Sequence, residues 1–228
     1  MKLLKAVRKS YSQRKKIDEA TNKAIDYYHK SRNGTTKLWA NLYNDGPVGK
    51  RVYYAITNYV HGLSNRCGYC QDRIFHNSNS NIDHILPSSI YPQFTFIEEN
   101  LVRVCMTCNM IKSADDYYTL PIPAGNGYRQ YTKNWGCYHP RHHVFSEHID
   151  RLVVQTNHLY FRAYIGKTPK GKKLCNMLLH KVSEFEVRAT VNPVVAQAAQ
   201  KLSQFIQSKG SAPTVAVNNL LQALVTKT

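Results

Sequence analysis

Two Cys-x-x-Cys pairs, Cys67-Gly68-Tyr69-Cys70 and Cys105-Met106-Thr107-Cys108, stand 34 residues apart in a chain of 228. Each pair can present two thiolates to one ion, and two pairs complete a tetrahedral zinc site. The gap exceeds the about 15–20 residues of a plain zinc ribbon, so a segment is inserted between the knuckles. Disulfides are the competing reading, but nothing in the chain indicates an oxidising compartment. Cys137 and Cys175 are left over and read as buried thiols rather than ligands. The insert carries Asn81-Ile82-Asp83-His84-Ile85-Leu86-Pro87. A carboxylate beside a histidine in an apolar strand is odd, because side chains alternate faces there. One of the two must point inward and find a partner. Asn100 comes later in the insert, and Asn109 lies directly after the second knuckle.

Charge speaks about partners. There are 31 Lys and Arg against 14 Asp and Glu, a formal net charge of +17, which suits a polyanion such as nucleic acid. Residues 1–37 carry net +8 and residues 121–175 net +7, whereas residues 63–120 carry net −2. A slightly acidic centre between basic flanks suits a metal-dependent site acting on a backbone held by its surroundings. The 43% hydrophobic content excludes a disordered acidic tail, and no stretch approaches the ~20 apolar residues of a membrane span. Charge interrupts Met1-Lys2-Leu3-Leu4-Lys5-Ala6-Val7-Arg8-Lys9 before a signal-peptide core forms, so a soluble cytoplasmic protein with no membrane partner is expected.

Helical spacing of Ile17, Ala20, Ala24 and Tyr27 predicts a helix over 9–31, closed by Asn33-Gly34, and a second runs from about Val52 to Leu63. Both read as a solvated support layer, with nucleic-acid contact an alternative for the first. After a Thr168-Pro169-Lys170-Gly171-Lys172-Lys173 turn, Leu174, Met177, Leu178, Val182, Phe185 and Ala189 mark another helix. Asn192-Pro193 reads as the N-cap of the next, and a last helix covers about Thr214–Val225. The expected organisation is a basic helical region 1–62, a central module 63–120 and an extension 121–228.

The run Cys67-x-x-Cys70, Asp83-His84-Ile85-Leu86-Pro87, Asn100-Leu101, Cys105-x-x-Cys108-Asn109-x-x-Lys112 resembles the HNH endonuclease family in its zinc-knuckle branch, over residues 67–113. The motifs are specific in combination. A softer resemblance, to the segment C-terminal to the module in some bacterial relatives, covers Tyr138-His139-Pro140-Arg141-His142-His143 and Thr168-Pro169-x-Gly171. The family implies an α+β fold, a ββα-metal module on a four-cysteine zinc site, here flanked by mostly helical extensions. It implies Asp83 and His84 on the second hairpin strand, with Asn109 at the start of the helix. By that resemblance His84 is the general base, and Asp83 and Asn109 hold the catalytic divalent ion. Asn100 orients the loop around His84, and the cysteines hold structural Zn²⁺. Many relatives have His where this chain has Asn109, and an amide oxygen shifts the preference towards Mg²⁺ or Mn²⁺.

The expected function is a metal-dependent endonuclease that nicks or cuts DNA, with RNA also open as a substrate. A zinc-stabilised nucleic-acid-binding protein without catalysis is one alternative. Another is the nuclease subunit of a larger assembly, such as an anti-phage system in antiviral defence. Candidate nucleic-acid contacts are Lys112, Arg103, Arg129, Lys133 and Arg141. Lys112 reads equally as a phosphate contact or a solvated surface lysine. Tyr128, Tyr131 and their basic neighbours either stack on bases or pack at the module's edge. His139, His142, His143 and His148 read as packing or phosphate-contacting residues sooner than as a second metal site. The C-terminal helices, which lack acidic residues, form either a docking or dimer surface or ordinary core.

Overall fold

The helices of the first 62 residues form because apolar side chains recur on one face of basic sequences. In the computed structural model, which describes residues 2–116, 127–128, 136–155 and 160–188 with single positions at 197 and 201, there are four of them. They are α1 (Lys2–Lys9), α2 (Arg14–Arg32), α3 (Leu38–Asn44) and α4 (Gly46–His61). The predicted 9–31 helix is α2, which begins at Arg14 and is preceded by a separate α1, and the predicted second helix starts six residues earlier and follows a short one. Asn33 caps α2 and Gly34 takes φ +82°, a conformation that favours glycine. Gly49 is required by packing, since a Cβ there would meet the Leu42 carbonyl oxygen at 2.7 Å where α3 turns into α4.

The chain divides into two units, Met1–Asn134 and Trp135–Thr228. In the first, the helices are not a solvated layer. Leu3, Val7, Ala20, Tyr27, Leu38, Leu42, Val52, Ile56 and Val60 form one buried core with Phe96 and Leu101 of the central segment. Each such side chain contributes roughly 1.5–3 kcal/mol by leaving water, so the helices are part of the body that holds the centre. Ser31 Oγ donates to the Pro92 carbonyl at 2.5 Å and the Tyr59 hydroxyl to Glu98 at 3.0 Å, tying α2 and α4 to the inserted loop.

That centre is a two-stranded antiparallel sheet, β1 (Ser80–His84) against β2 (Leu101–Cys105), with α5 (Met106–Lys112) starting directly after it. Asp83 lies opposite Val102 and His84 opposite Leu101. Asp83 and His84 are thus on the first strand of the hairpin, not the second as expected. The long 85–100 connection lies between the two strands, so β2 follows the Asp83-His84 strand and ends at Cys105, where α5 begins.

The second unit contains a single helical turn α6 (Phe145–His148), the antiparallel pair β3 (Ile149–Gln155) and β4 (Tyr160–Gly166), then α7 (Pro169–Leu174), a π-helical turn (Cys175–Leu179) and α8 (His180–Arg188). The expected Thr168–Lys173 turn is the start of α7: Thr168 Oγ1 accepts the Gly171 N–H at 3.2 Å, with Pro169 in the first helical turn. Gly171 lies so close to the His148 carbonyl oxygen that no Cβ fits. The β3–β4 hairpin has no counterpart among the elements expected from the sequence. The helices expected from Asn192 and over Thr214–Val225 lie outside the described residues.

Candidate active site and metal centre

The two knuckles close on one point. The sulfurs of Cys67, Cys70, Cys105 and Cys108 all lie within 4.8 Å of one another. Cys70 Sγ is 3.7 Å from Cys105 Sγ, and every cysteine is a free thiol. A tetrahedral ion with bonds of about 2.3 Å sets its sulfurs about 3.8 Å apart, so the spacing fits a metal such as zinc and not a disulfide. Local turns build it. Cys67 N–H donates to the Asp72 carbonyl at 2.9 Å and Gln71 N–H to the Cys67 carbonyl at 3.0 Å, with Gln71 at φ +59°. Cys105 caps α5, its sulfur accepting the Cys108 N–H at 3.4 Å. Burial pushes the Cys67 thiol up, whereas hydrogen bonds from Cys108, then Cys67 and Cys70, pull Cys105 down. A bound cation would favour thiolates throughout the cluster.

β1 carries Asp83 into the interior beside this frame, with a side chain 9% exposed. The Tyr69 hydroxyl, from within the first knuckle, donates to Asp83 Oδ2 at 2.7 Å. Lys112 Nζ lies 3.2 Å from Oδ1 and 3.1 Å from Oδ2, and also donates to the His84 carbonyl at 3.0 Å. Lys112 is 1% exposed, so the solvated-surface reading of this lysine is wrong. It is a buried counter-charge. Burial pushes the Asp83 carboxyl above its ordinary value, with Lys112 and then Tyr69 pulling it back. Asn109 is half-buried on α5, one turn before Lys112 and so on the same side of the helix.

His84 is buried at the end of β1. Its Nε2 lies 3.0 Å from the Thr95 carbonyl oxygen. A carbonyl can only accept, so the proton is assigned to Nε2 and the lone pair to Nδ1. Burial pushes the imidazole down to about 4, against the pull of the Thr95 carbonyl, so the ring is neutral near pH 7. The Trp39 indole of α3 meets it edge-on, with centroids 5.1 Å apart and planes at 90°.

Thr95 stays in place because of Asn100, which is fully buried. Asn100 Oδ1 accepts the Leu86 N–H at 2.8 Å, and Nδ2 donates to the Leu86 and Phe94 carbonyls, both at 3.1 Å. One amide therefore clamps both ends of the 85–95 loop. The Tyr128 hydroxyl lies 3.2 Å from Asn100 Oδ1 and 3.1 Å from the Glu99 carbonyl. Tyr128 is buried here and is not an exposed stacking platform.

The remaining candidates separate. Arg103 is buried, and its guanidinium donates to Ser80 Oγ, Asn77 Oδ1 and the His61 and Ser64 carbonyls at 2.9–3.3 Å. It braces α4 against the start of β1. Arg129 and Lys133 lie outside the described residues. Arg141 belongs to the second unit, as do the clustered histidines. There the His139 and His142 rings stack at 4.1 Å, and His143 Nδ1 accepts the His139 N–H at 2.8 Å. Among the described residues, the four cysteines alone bring three or more Cys, His, Asp or Glu ligand atoms within reach of one ion. Cys137 and Cys175 are buried, and burial pushes them up to about 11 and about 12. Sequence reasoning missed Tyr69, Thr95 and Trp39 as neighbours of the Asp83–His84 pair. Only Tyr69 carried a local signal, its position inside a knuckle.

Comparison with known proteins agrees with this geometry. Residues 67–115 match the family model described as HNH endonuclease. Protein ea31 of Escherichia phage lambda is 35% identical over 74 residues, which is 32% of this chain and 23% of the phage protein. The chain thus spans less than a quarter of that relative's length. No solved structure matches. Among the described residues no helix is long and apolar enough to cross a membrane. With the cysteine cluster and the Asp83–His84 strand inside the matched segment, residues 67–115 are an HNH endonuclease domain framed by a four-cysteine cluster.

Proposed function

We propose that this chain is a metal-dependent endonuclease that hydrolyses phosphodiester bonds in DNA, with His84 as general base. The observation that carries this reading is the state of His84: neutral, with Nε2 pinned on the Thr95 carbonyl, and next in the chain to a buried carboxylate. A neutral imidazole with a free Nδ1 lone pair can take a proton from an attacking water. Asn100 holds the loop that fixes Thr95, so it positions the base without touching substrate. Asp83 and Asn109 offer a carboxylate and an amide oxygen, hard donors suited to Mg²⁺ or Mn²⁺. The interior around Asp83 already accommodates one positive group, Lys112, which supports its fitness for a cation. A divalent ion held there would neutralise charge on the phosphate in the transition state. Zn²⁺ on Cys67, Cys70, Cys105 and Cys108 would hold the knuckles and do no chemistry. The net charge of +17 supplies non-specific attraction for the backbone.

Cleavage of supercoiled plasmid by wild type and His84→Ala, each with Mg²⁺, Mn²⁺ or EDTA, tests the proposal. Wild type should cleave with a divalent ion, and the variant should lose about 10²–10⁴-fold in rate, the contribution of general-base catalysis. No cleavage in any metal, with tight salt-sensitive DNA binding retained, would replace the nuclease by a binding module.

A further inference from the structure

Four aromatic rings lead away from His84 along α3 and α4. Trp39 meets His84 at one end. Its ring lies 5.0 Å from Tyr53. Tyr53 lies 5.1 Å from Tyr43 and 5.7 Å from Tyr54, and those two are 6.0 Å apart. Exposure rises along the series. Trp39 and Tyr53 are half-buried, whereas Tyr43 is 36% and Tyr54 45% exposed. Trp39 and Tyr53 pack against the core that buries Leu38, Leu42, Val52, Ile56 and Val60, whereas Tyr43 and Tyr54 form the exposed end of the series. Neither helix carries an acidic residue. Asp45 between them is engaged by Lys23 and Tyr27, at 2.8 and 3.0 Å. Lys50 stands over the Tyr43 ring at 4.9 Å.

We propose that this track binds an unstacked single strand of nucleic acid, with bases on Tyr54 and Tyr43 and a phosphate at Lys50, so that the strand enters the candidate active site past Trp39. The inference rests on the nuclease reading of that site and names its substrate class. Aromatic side chains stack only on base faces that are uncovered, and in a duplex the neighbouring base pairs cover them. A ring track with a cation and no carboxylate has the chemistry of a single-strand platform. Its continuity with His84 separates it from incidental surface aromatics.

The test is fluorescence-polarisation binding, without added divalent ion, of labelled oligo-dT, oligo-rU and duplex DNA of about 20 nucleotides per strand. Wild type is compared with Tyr43→Leu/Tyr54→Leu and with Tyr43→Phe/Tyr54→Phe. The leucine variant should bind the preferred single strand at least about tenfold more weakly, with duplex affinity within about twofold. The phenylalanine variant, which keeps the rings, should retain the affinity. Whichever of oligo-dT and oligo-rU binds better identifies the source of the strand. Unchanged single-strand affinity, or an equal loss for duplex, overturns the track. If the leucine variant fails to fold by circular dichroism, Tyr54→Ser alone, at the most exposed ring, gives the same readout. Binding is scored without cleavage. Failure to cleave either plasmid or the single-stranded oligonucleotides with added Mg²⁺ or Mn²⁺, with intact single-strand preference, would therefore sink the nuclease reading and leave the track standing, and the reverse result would do the opposite.

Discussion

Lys112 Nζ lies 3.1 Å from Asp83 Oδ2, and both side chains are buried. Lys112 closes α5 and Asp83 belongs to β1, so this pair fastens the helix to the strand at the point where the chemistry is expected. It also keeps a positive charge on the carboxylate that is the candidate cation ligand. Folding and metal binding draw on the same side chain.

Lys112→Ala should therefore act on stability before it acts on substrate. Removing one partner of a buried pair leaves an uncompensated charge and costs about 3–5 kcal/mol. Urea denaturation of the variant should show that loss, and added Mn²⁺ should recover more of it than in wild type. Unchanged stability with a raised KM would instead assign Lys112 to the phosphate.

Asn100→Ala removes the clamp on the loop. It takes the Asn100 partner from the Leu86 N–H and the Leu86 carbonyl, while the Phe94 carbonyl keeps the Ile97 N–H at 3.2 Å. Unsatisfied buried groups cost about 1–3 kcal/mol each, so a loss of at least about 2 kcal/mol is expected. Cleavage should fall further than the fraction unfolded explains, because Thr95 then no longer fixes His84. Activity that tracks the folded fraction alone would reduce Asn100 to a structural residue.

Acid should weaken the fold through His84. Its folded value is pushed down to about 4, whereas an unfolded histidine titrates near 6.5. Between those values the unfolded chain binds a proton that the folded one refuses, so stability rises with pH. The contribution, on the order of 3 kcal/mol, is present above about pH 6.5 and lost as pH falls through about 4. His139 and His143 are also pushed down, to about 2 and about 4, so the informative quantity is a difference between proteins. Between about pH 7 and pH 5, wild type should lose more Tm than His84→Gln. Equal losses would mean that His84 is solvated.

One zinc per chain should be found by elemental analysis, held by the four cysteines. Cys70→Ser should lose the metal and the near-ultraviolet signature of the packed domain. Structural zinc supplies about 10–16 kcal/mol in small domains, more than a typical fold's net stability. Full metal retention in Cys70→Ser would remove the ion from this cluster.

The frame of the site is legible in the chain alone. Two Cys-x-x-Cys turns, the Asp83-His84 pair and the Asn100 and Asn109 spacings are local properties, set by how far a knuckle, a strand and a helical turn carry the backbone. α2, α4 and α8 are visible for the same reason, as apolar periodicity. The β3–β4 hairpin is harder to see: Leu152, Val153, Tyr160 and Tyr164 are good strand residues, but the neighbouring His and Tyr cluster masks their alternation. The partners of the buried groups come from the tertiary fold. Lys112 reaches Asp83 across 29 positions, Thr95 reaches His84 across 11, and Tyr128 reaches Asn100 across 28. Trp39 comes to His84 from a helix on the far side of a knuckle. Spacing reports what one segment can hold. Which buried charge meets which counter-charge is settled when separate segments leave water together, since each unpaired group would otherwise be too costly to bury.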